Sequence, residues 1–199
     1  MNVSEIITNP PRDEYIDQHE SKLKETETIA KIKGLRLKKL QSSTEIEYGL
    51  FDDKLRLVGY FSLEYRGKNI WEVTLVQLAQ AYKGQGFGTF FYDYAVMNDK
   101  LYIMSDATQT GGPHGSKDLW KRLKENNRYQ VIGYNKKTNE KLPDATEDEI
   151  YDETPDLRWL CIPPKESINE CITRIQSTMK KQHLVWYGPG TSTPTYFNF

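Results

Sequence analysis

Three glycines at alternate positions, Gly84, Gly86 and Gly88, stand in the run Tyr82-Lys83-Gly84-Gln85-Gly86-Phe87-Gly88-Thr89. Glycine lets a chain turn where a side chain would clash, and a turn that opens a helix leaves backbone N–H groups without intrahelical partners. With the positive end of the helix dipole, such amides make a site for an anion such as a phosphate. The Gly-x-Gly-x-x-Gly spacing of dinucleotide sites is absent, and no Gly-Lys-Ser/Thr follows for a nucleotide P-loop. A tight strand-to-helix connection that binds nothing accounts for the glycines as well.

Groups able to move protons lie on both sides of this turn. Glu72 sits between Trp71 and Val73 in an apolar run, where burial would raise a carboxyl pKa and suit it to act as a base. The plain alternative is a strand-face carboxylate in water. Ser105, Asp106 and His114 follow the turn. His114, in Gly-Gly-Pro-His-Gly, has the best intrinsic pKa for neutral-pH chemistry; otherwise it is a loop histidine meeting solvent.

The elements that must position these groups show in the periodicity. Asp13 to Lys33 is charged and loosely periodic, and reads as a helix anchored by Ile16, Leu23 and Ile29. From Leu35 the pattern turns to strands. Leu55, Leu57, Gly59, Phe61, Leu63 and Tyr65 alternate with more polar residues, and turn residues on either side predict an antiparallel meander over about 45–51, 55–65 and 70–79. The period then becomes helical through Gly88, Phe91, Tyr92, Ala95 and Val96. A strand over Leu101 to Ser105, a loop over Thr108 to Gly115 and a helix capped by Ser116 and carrying Leu119, Trp120 and Leu123 come next. Tyr129 to Tyr134 and Leu157 to Ile162 read as strands joined by an acidic loop. Beyond Pro163-Pro164, an amphipathic helix bearing Ile168, Cys171, Ile172, Ile175 and Met179 precedes an aromatic end with Tyr196, Phe197 and Phe199.

Lys83, Gly86 and Gly88 resemble the pyrophosphate-binding motif of the GNAT N-acetyltransferase superfamily, Arg or Gln, two residues, Gly, one residue, Gly or Ala, with Lys in the first place. Leu75 to Tyr82 looks like that family's fourth strand, and Leu119-Trp120-Lys121-Arg122-Leu123 stands where Leu-Tyr-x-x-Leu is usual. The resemblance covers roughly Leu35 to Ile162. It implies an α/β (α+β) fold, a mixed, mostly antiparallel sheet flanked by helices, and acetyl-CoA as acyl donor. The diphosphate would meet the amides of Lys83, Gly84, Gln85, Gly86, Phe87, Gly88 and Thr89, and the pantetheine would lie in a splay between the fourth strand and the next. The Leu78 amide would face the thioester carbonyl as an oxyanion donor. Trp120 would adjoin the coenzyme where the family uses a tyrosine as acid. An indole N–H cannot serve so, and the thiolate would leave into solvent or take a proton from Ser105, Asp106 or His114.

The expected organisation is therefore an N-terminal helical segment (1–34), an acyltransferase core (35–162) and a C-terminal helix and tail (163–199), in 199 residues. The tail helix and aromatic end would serve as an interaction appendage, joining a homodimer or a protein partner. Lys plus Arg number 27 against 28 Asp plus Glu, so no general electrostatic affinity for nucleic acid follows, although Lys117, Lys121, Arg122, Lys124 and Arg128 could line one side of a helix. Nothing reads as a membrane span or signal peptide, and a cytoplasmic protein is expected. Cys161 and Cys171 have no CxxC spacing and the histidines are scattered, so the cysteines are expected in the core and no metal is called for. Transfer of an acetyl group to a primary amine is the leading function. A catalytically silent module on the same fold and a nucleobase-modifying transferase are the alternatives, and the acceptor amine is undefined.

Overall fold

The computed structural model describes residues 14–106, 116–153 and 156–164. The described residues all belong to one compact unit. The helix and aromatic tail expected beyond Pro163, with Cys171, and the loop that carries His114 lie outside the described residues.

Among the described residues nine strands form one sheet in the order β1-β2-β3-β4-β5-β6-β9-β7-β8. They are β1 (Thr28–Ile32), β2 (Leu35–Gln41), β3 (Glu45–Phe51), β4 (Leu57–Gly67), β5 (Ile70–Leu78), β6 (Tyr102–Met104), β7 (Gln130–Asn135), β8 (Glu140–Leu142) and β9 (Leu157–Ile162). Every neighbouring pair is antiparallel except β5 with β6. The mixed, mostly antiparallel sheet that the resemblance implied is thus present, with helices α1 (Glu14–Glu25), α2 (Phe87–Met97) and α3 (Ser116–Glu125).

The meander forms because turn chemistry and alternating apolar residues agree, but its faces differ from a simple period of two. Gly59, Phe61 and Leu63 share one side as expected, and it turns towards α2. Leu57, expected with them, packs with Tyr60 beyond a register shift, Tyr65 is exposed, and Tyr60 and Ser62 on the opposite face are also buried. Tyr60 packs with Phe51 and with Leu23 of α1, so β4 is covered on both sides. Leu55, expected in the strand, is a turn residue with φ 58° and is exposed. Its turn is held by Asp52, whose Oδ1 accepts the amides of Lys54 at 3.0 Å and Arg56 at 2.9 Å.

The helix expected over Asp13 to Lys33 ends at Glu25, and the chain re-enters the sheet as β1. The buried ammonium of Lys38 donates to the carbonyls of Lys24 and Thr26 at that end, a cation placed where helix carbonyls lack partners. Lys33 and Gly34, both with positive φ (45° and 82°), make the two-residue turn from β1 to β2. The sheet therefore begins at Thr28, seven residues before Leu35.

The main core lies between the sheet and α2 with α3. A run of rings links the layers: Phe61 of β4 is 4.9 Å from Tyr92, and Tyr92 is 5.4 Å edge-on from Trp120 of α3. Phe91 of α2 is wholly buried, and burying one such side chain contributes about 1.5–3 kcal/mol. Cys161 is buried in the same core, as expected. The acidic loop carries a short strand, β8, and a π-helical turn at Glu149–Glu153 that the sequence pattern did not foretell.

Candidate functional site

Two features of the sheet make the site. First, β5 and β6 run side by side for three pairs only, Ile70 with Tyr102, Trp71 with Ile103 and Glu72 with Met104. Beyond Glu72 the rest of β5, Val73 to Leu78, has no strand on that side among the described residues, because β6 ends at Met104, its other edge paired with β9. The amide of Ala79 donates to the Val58 carbonyl of β4 at 2.9 Å. Successive amides of a strand point to opposite sides, so the Leu78 amide points away from β4, into this fork.

Second, the end of β5 passes through a single 3₁₀ turn, Gln80–Tyr82, into Lys83 and the glycines. Gly84 and Gly86 have φ of 73° and 88°, a region costly for other residues. Gly86 is the N-cap of α2, without any side-chain cap, and no acidic residue stands in the first turn. The Phe90 amide closes the first turn of the helix on Gly86 O at 3.0 Å. The N–H groups at the start of the helix are left for an anion.

Fork and turn meet in a cavity of about 390 Å³ lined by Val76, Gln77, Leu78, Lys83, Gly84, Gly86, Gly88, Thr89, Leu119 and Arg122. No carboxylate is among these residues, whereas Lys83 and Arg122 bring two cations. A Cβ at Gly86 would meet nothing within 4 Å, so the space over this amide is open to a ligand. Gly88 is the floor, with Leu119 and Leu78 4.0 Å from where its Cβ would be. Gly59 sets the depth: a Cβ there would stand 2.8 Å from Leu78 Cδ2 and 3.3 Å from the Phe91 ring.

Of the residues singled out in the sequence, Leu78, Lys83, Gly84, Gly86, Gly88 and Thr89 are brought together here. Gln85 is exposed; its side chain donates to Ala81 O at 2.7 Å and its carbonyl accepts from Lys33 Nζ at 2.9 Å. The Phe87 side chain is buried beside Tyr82, 6.0 Å between rings. Trp120 does not line the cavity. It is 1% exposed and packed on Tyr92, because the apolar side of α3 that holds Leu119 and Leu123 also carries the indole inward. Arg122, two residues on, is the charged group of α3 that reaches the cavity, beside Leu119. Its position three residues after Leu119 is the signal that could have found it.

The proton-transfer candidates lie elsewhere. Glu72 stands at the point where β5 and β6 part, four residues from Val76, or ~13 Å along the strand. Its Oε2 accepts from Arg66 Nε at 2.5 Å, and the same guanidinium holds Glu64 at 2.8 and 2.9 Å. Glu45, Glu64 and Glu72 face one another across β3, β4 and β5. Like charges set opposite one another in a sheet repel, and Arg66 offsets two of the three. Ser105 is wholly buried, its hydroxyl accepting the Trp159 amide at 3.1 Å and its own amide donating to Trp159 O at 2.9 Å. It ties β6 to β9 rather than facing the cavity. Asp106 follows it and, after desolvation and the Cys161 sulfur, helps push the buried Tyr92 hydroxyl well above its ordinary pKa. Among the described residues no group of His, Cys, Asp and Glu is arranged to hold a metal ion, and no helix is long and apolar enough to cross a membrane.

No protein-family model matches the chain, and no curated protein matches it. Among solved structures it is similar to a chimaeric spermidine N-acetyltransferase from Vibrio cholerae, at 14% identity over 61% of this chain and 68% of that one, with a TM-score of 0.37. It is similar to the ribosomal-protein-S18-alanine N-acetyltransferase of Escherichia coli, at 10% identity over 64% and 76% of the two chains, TM-score 0.37. A GNAT-family acetyltransferase from Staphylococcus aureus is 15% identical over 61% and 68%, TM-score 0.36.

Proposed function

We propose that the chain is a GNAT-type N-acyltransferase that takes an acyl group, acetyl in the first instance, from acyl-CoA and passes it to a primary amine. The observation that carries this reading is the uncapped start of α2, which opens with Lys83 and Arg122 into a cavity whose described lining holds no carboxylate, at the foot of the β5–β6 fork. A diphosphate needs N–H donors and cations in one place. An extended pantetheine arm needs a strand edge with unpaired amides, and Val73 to Leu78 offers one. The cavity is open over Gly86, so the residues present fit such a ligand.

On this reading the arm runs up β5 from the diphosphate past Leu78, so the thioester lies near Val73. An unpaired β5 amide there, rather than that of Leu78, donates to its oxygen as negative charge develops. The amine nitrogen attacks the carbonyl carbon, a C–N bond forms, the C–S bond breaks and the sulfur leaves as thiolate. Glu72, beside the point where the strands part, takes one proton from the substrate ammonium to free the lone pair before attack, and the nitrogen loses the second to water as the amide forms. Trp120, sealed in the core, takes no part, and the thiolate receives its proton from water.

The buried indole favours a second reading, a module that binds CoA without turnover. The two are separated by titrating acetyl-CoA calorimetrically and then assaying thiol release with a panel of primary amines. Binding with release supports the enzyme. Binding without release for any amine supports the silent module, and no heat at millimolar acetyl-CoA removes both.

A further inference from the structure

Lys33 lies outside the cavity, on the turn between β1 and β2, yet it holds the glycine turn from behind. Its Nζ donates to the Gln85 carbonyl at 2.9 Å and stands 5.6 Å from the centre of the Phe87 ring. The contact joins residues 52 apart in sequence. Its anchor is a strained one: Lys33 has φ 45° beside Gly34 at 82°, the conformation a two-residue turn requires and one unfavourable for a lysine backbone.

What this contact fixes follows from the peptide plane. In a trans peptide the carbonyl points opposite to the next N–H, so holding Gln85 O on the outside turns the Gly86 N–H to the inside, where Gly86 lines the cavity. A half-turn of that peptide would carry φ of Gly86 from 88° to about −90°, and glycine tolerates both signs of φ about equally. The opposite orientation would present a carbonyl oxygen to an anion. Gly86 thus supplies two orientations, and a hydrogen bond from outside selects between them.

We propose that Lys33 is a positioning residue for the diphosphate site: it orients the Gln85–Gly86 peptide so that the Gly86 amide faces the ligand before the ligand arrives. This rests on the reading of the cavity as a diphosphate site and extends it to a residue that touches neither cavity nor ligand. It also gives the β1–β2 hairpin a share in coenzyme affinity.

The test compares wild type, Lys33→Met and Lys33→Arg as full chains, with CoA titrated calorimetrically and the Gly86 amide followed by NMR in protein labelled with ¹⁵N-glycine. Met keeps the stem and loses the donor; Arg restores a donor. The expected result is a CoA Kd raised about tenfold in Lys33→Met, the scale of a lost charged hydrogen bond, with the Gly86 resonance shifted or doubled before ligand is added. Both should return towards wild type in Lys33→Arg. A Lys33→Met Kd equal to wild type overturns the proposal, as does a weakened Kd with the Gly86 resonance unmoved, which would assign Lys33 to packing. Wild type that binds no CoA overturns the diphosphate reading itself, before any variant is compared.

Discussion

Gly59 and Leu78 are partners across β4 and β5, and the absence of a side chain on Gly59 is what lets Leu78 lie 2.8 Å from where its Cβ would be. Gly59→Ala should therefore push Leu78 and Phe91 outward together. We expect a stability loss of about 1–3 kcal/mol, the cost of overpacking a dense core, and a weaker affinity for acetyl-CoA. Urea denaturation and calorimetric titration measure the two. Unchanged affinity in a destabilised protein would remove Leu78 from the binding surface.

Gly86 offers the complementary case, since nothing opposes a Cβ there except its own backbone. Gly86→Val should cost about 1–2 kcal/mol for the left-handed conformation and abolish the rise in Tm given by acetyl-CoA, because the side chain fills the ligand's space. A variant that folds and keeps the full Tm rise would sink the assignment of the cavity.

Glu72→Gln should lower turnover about 100-fold, the usual scale of general base catalysis, and leave the affinity for acetyl-CoA near wild type. Steady-state kinetics set beside direct titration make the split visible. Arg66→Gln serves as the control: if Glu72 matters only as a partner of Arg66, both variants will alter stability and neither will alter turnover.

Stability should also respond to acid through Asp52. Its carboxyl is held below the ordinary range, chiefly by the backbone amide of Arg56 and further by the Arg56 guanidinium and the Lys54 amide. A depressed carboxyl binds its proton more weakly folded than unfolded, so its contribution is complete above the unfolded value and is lost as pH falls through the folded one. Asp52→Asn should lower Tm at pH 7, with the gap to wild type closing in the acid range. A gap of constant size down to pH 3 would assign the loss to geometry alone.

The parts of this fold that bury one face announced themselves in sequence. The strands of the meander, α2 with its spacing at Phe91, Tyr92, Ala95 and Val96, and β9 all lie close to where periodicity puts them. Strand β1 stayed hidden because it is an edge strand whose residues are largely exposed, so burial imposes no alternation on Thr28 to Ile32. Strand β8, three residues long and also at an edge, hid for the same reason.

For the site, glycine spacing marked the turn because backbone conformation alone demands glycine at 84 and 86. Arg122 was legible only through its spacing from Leu119, and Lys33 was not legible as a site residue at all. One depends on which side of α3 faces the sheet, the other on a hairpin whose first strand leaves no pattern. Trp120 shows the converse: its place in the chain matched a family position, but α3 rolls the indole into the core against Tyr92.

Strand β5 does not keep one count along its length. Its register with β4 shifts between the partners of Ser62 and Leu63, so that Thr74 is passed over. Trp71 and Val73 before it, and Val76 and Leu78 after it, all join the helix-side core, although 73 and 76 differ in parity. The strand is thus two rulers of opposite phase joined at one exposed residue. Exchanging Thr74 for another side chain alters little beyond its bond to Ser62 Oγ at 3.0 Å, whereas deleting it would turn one half of the strand inside out. At this position the gene is constrained in length more than in spelling.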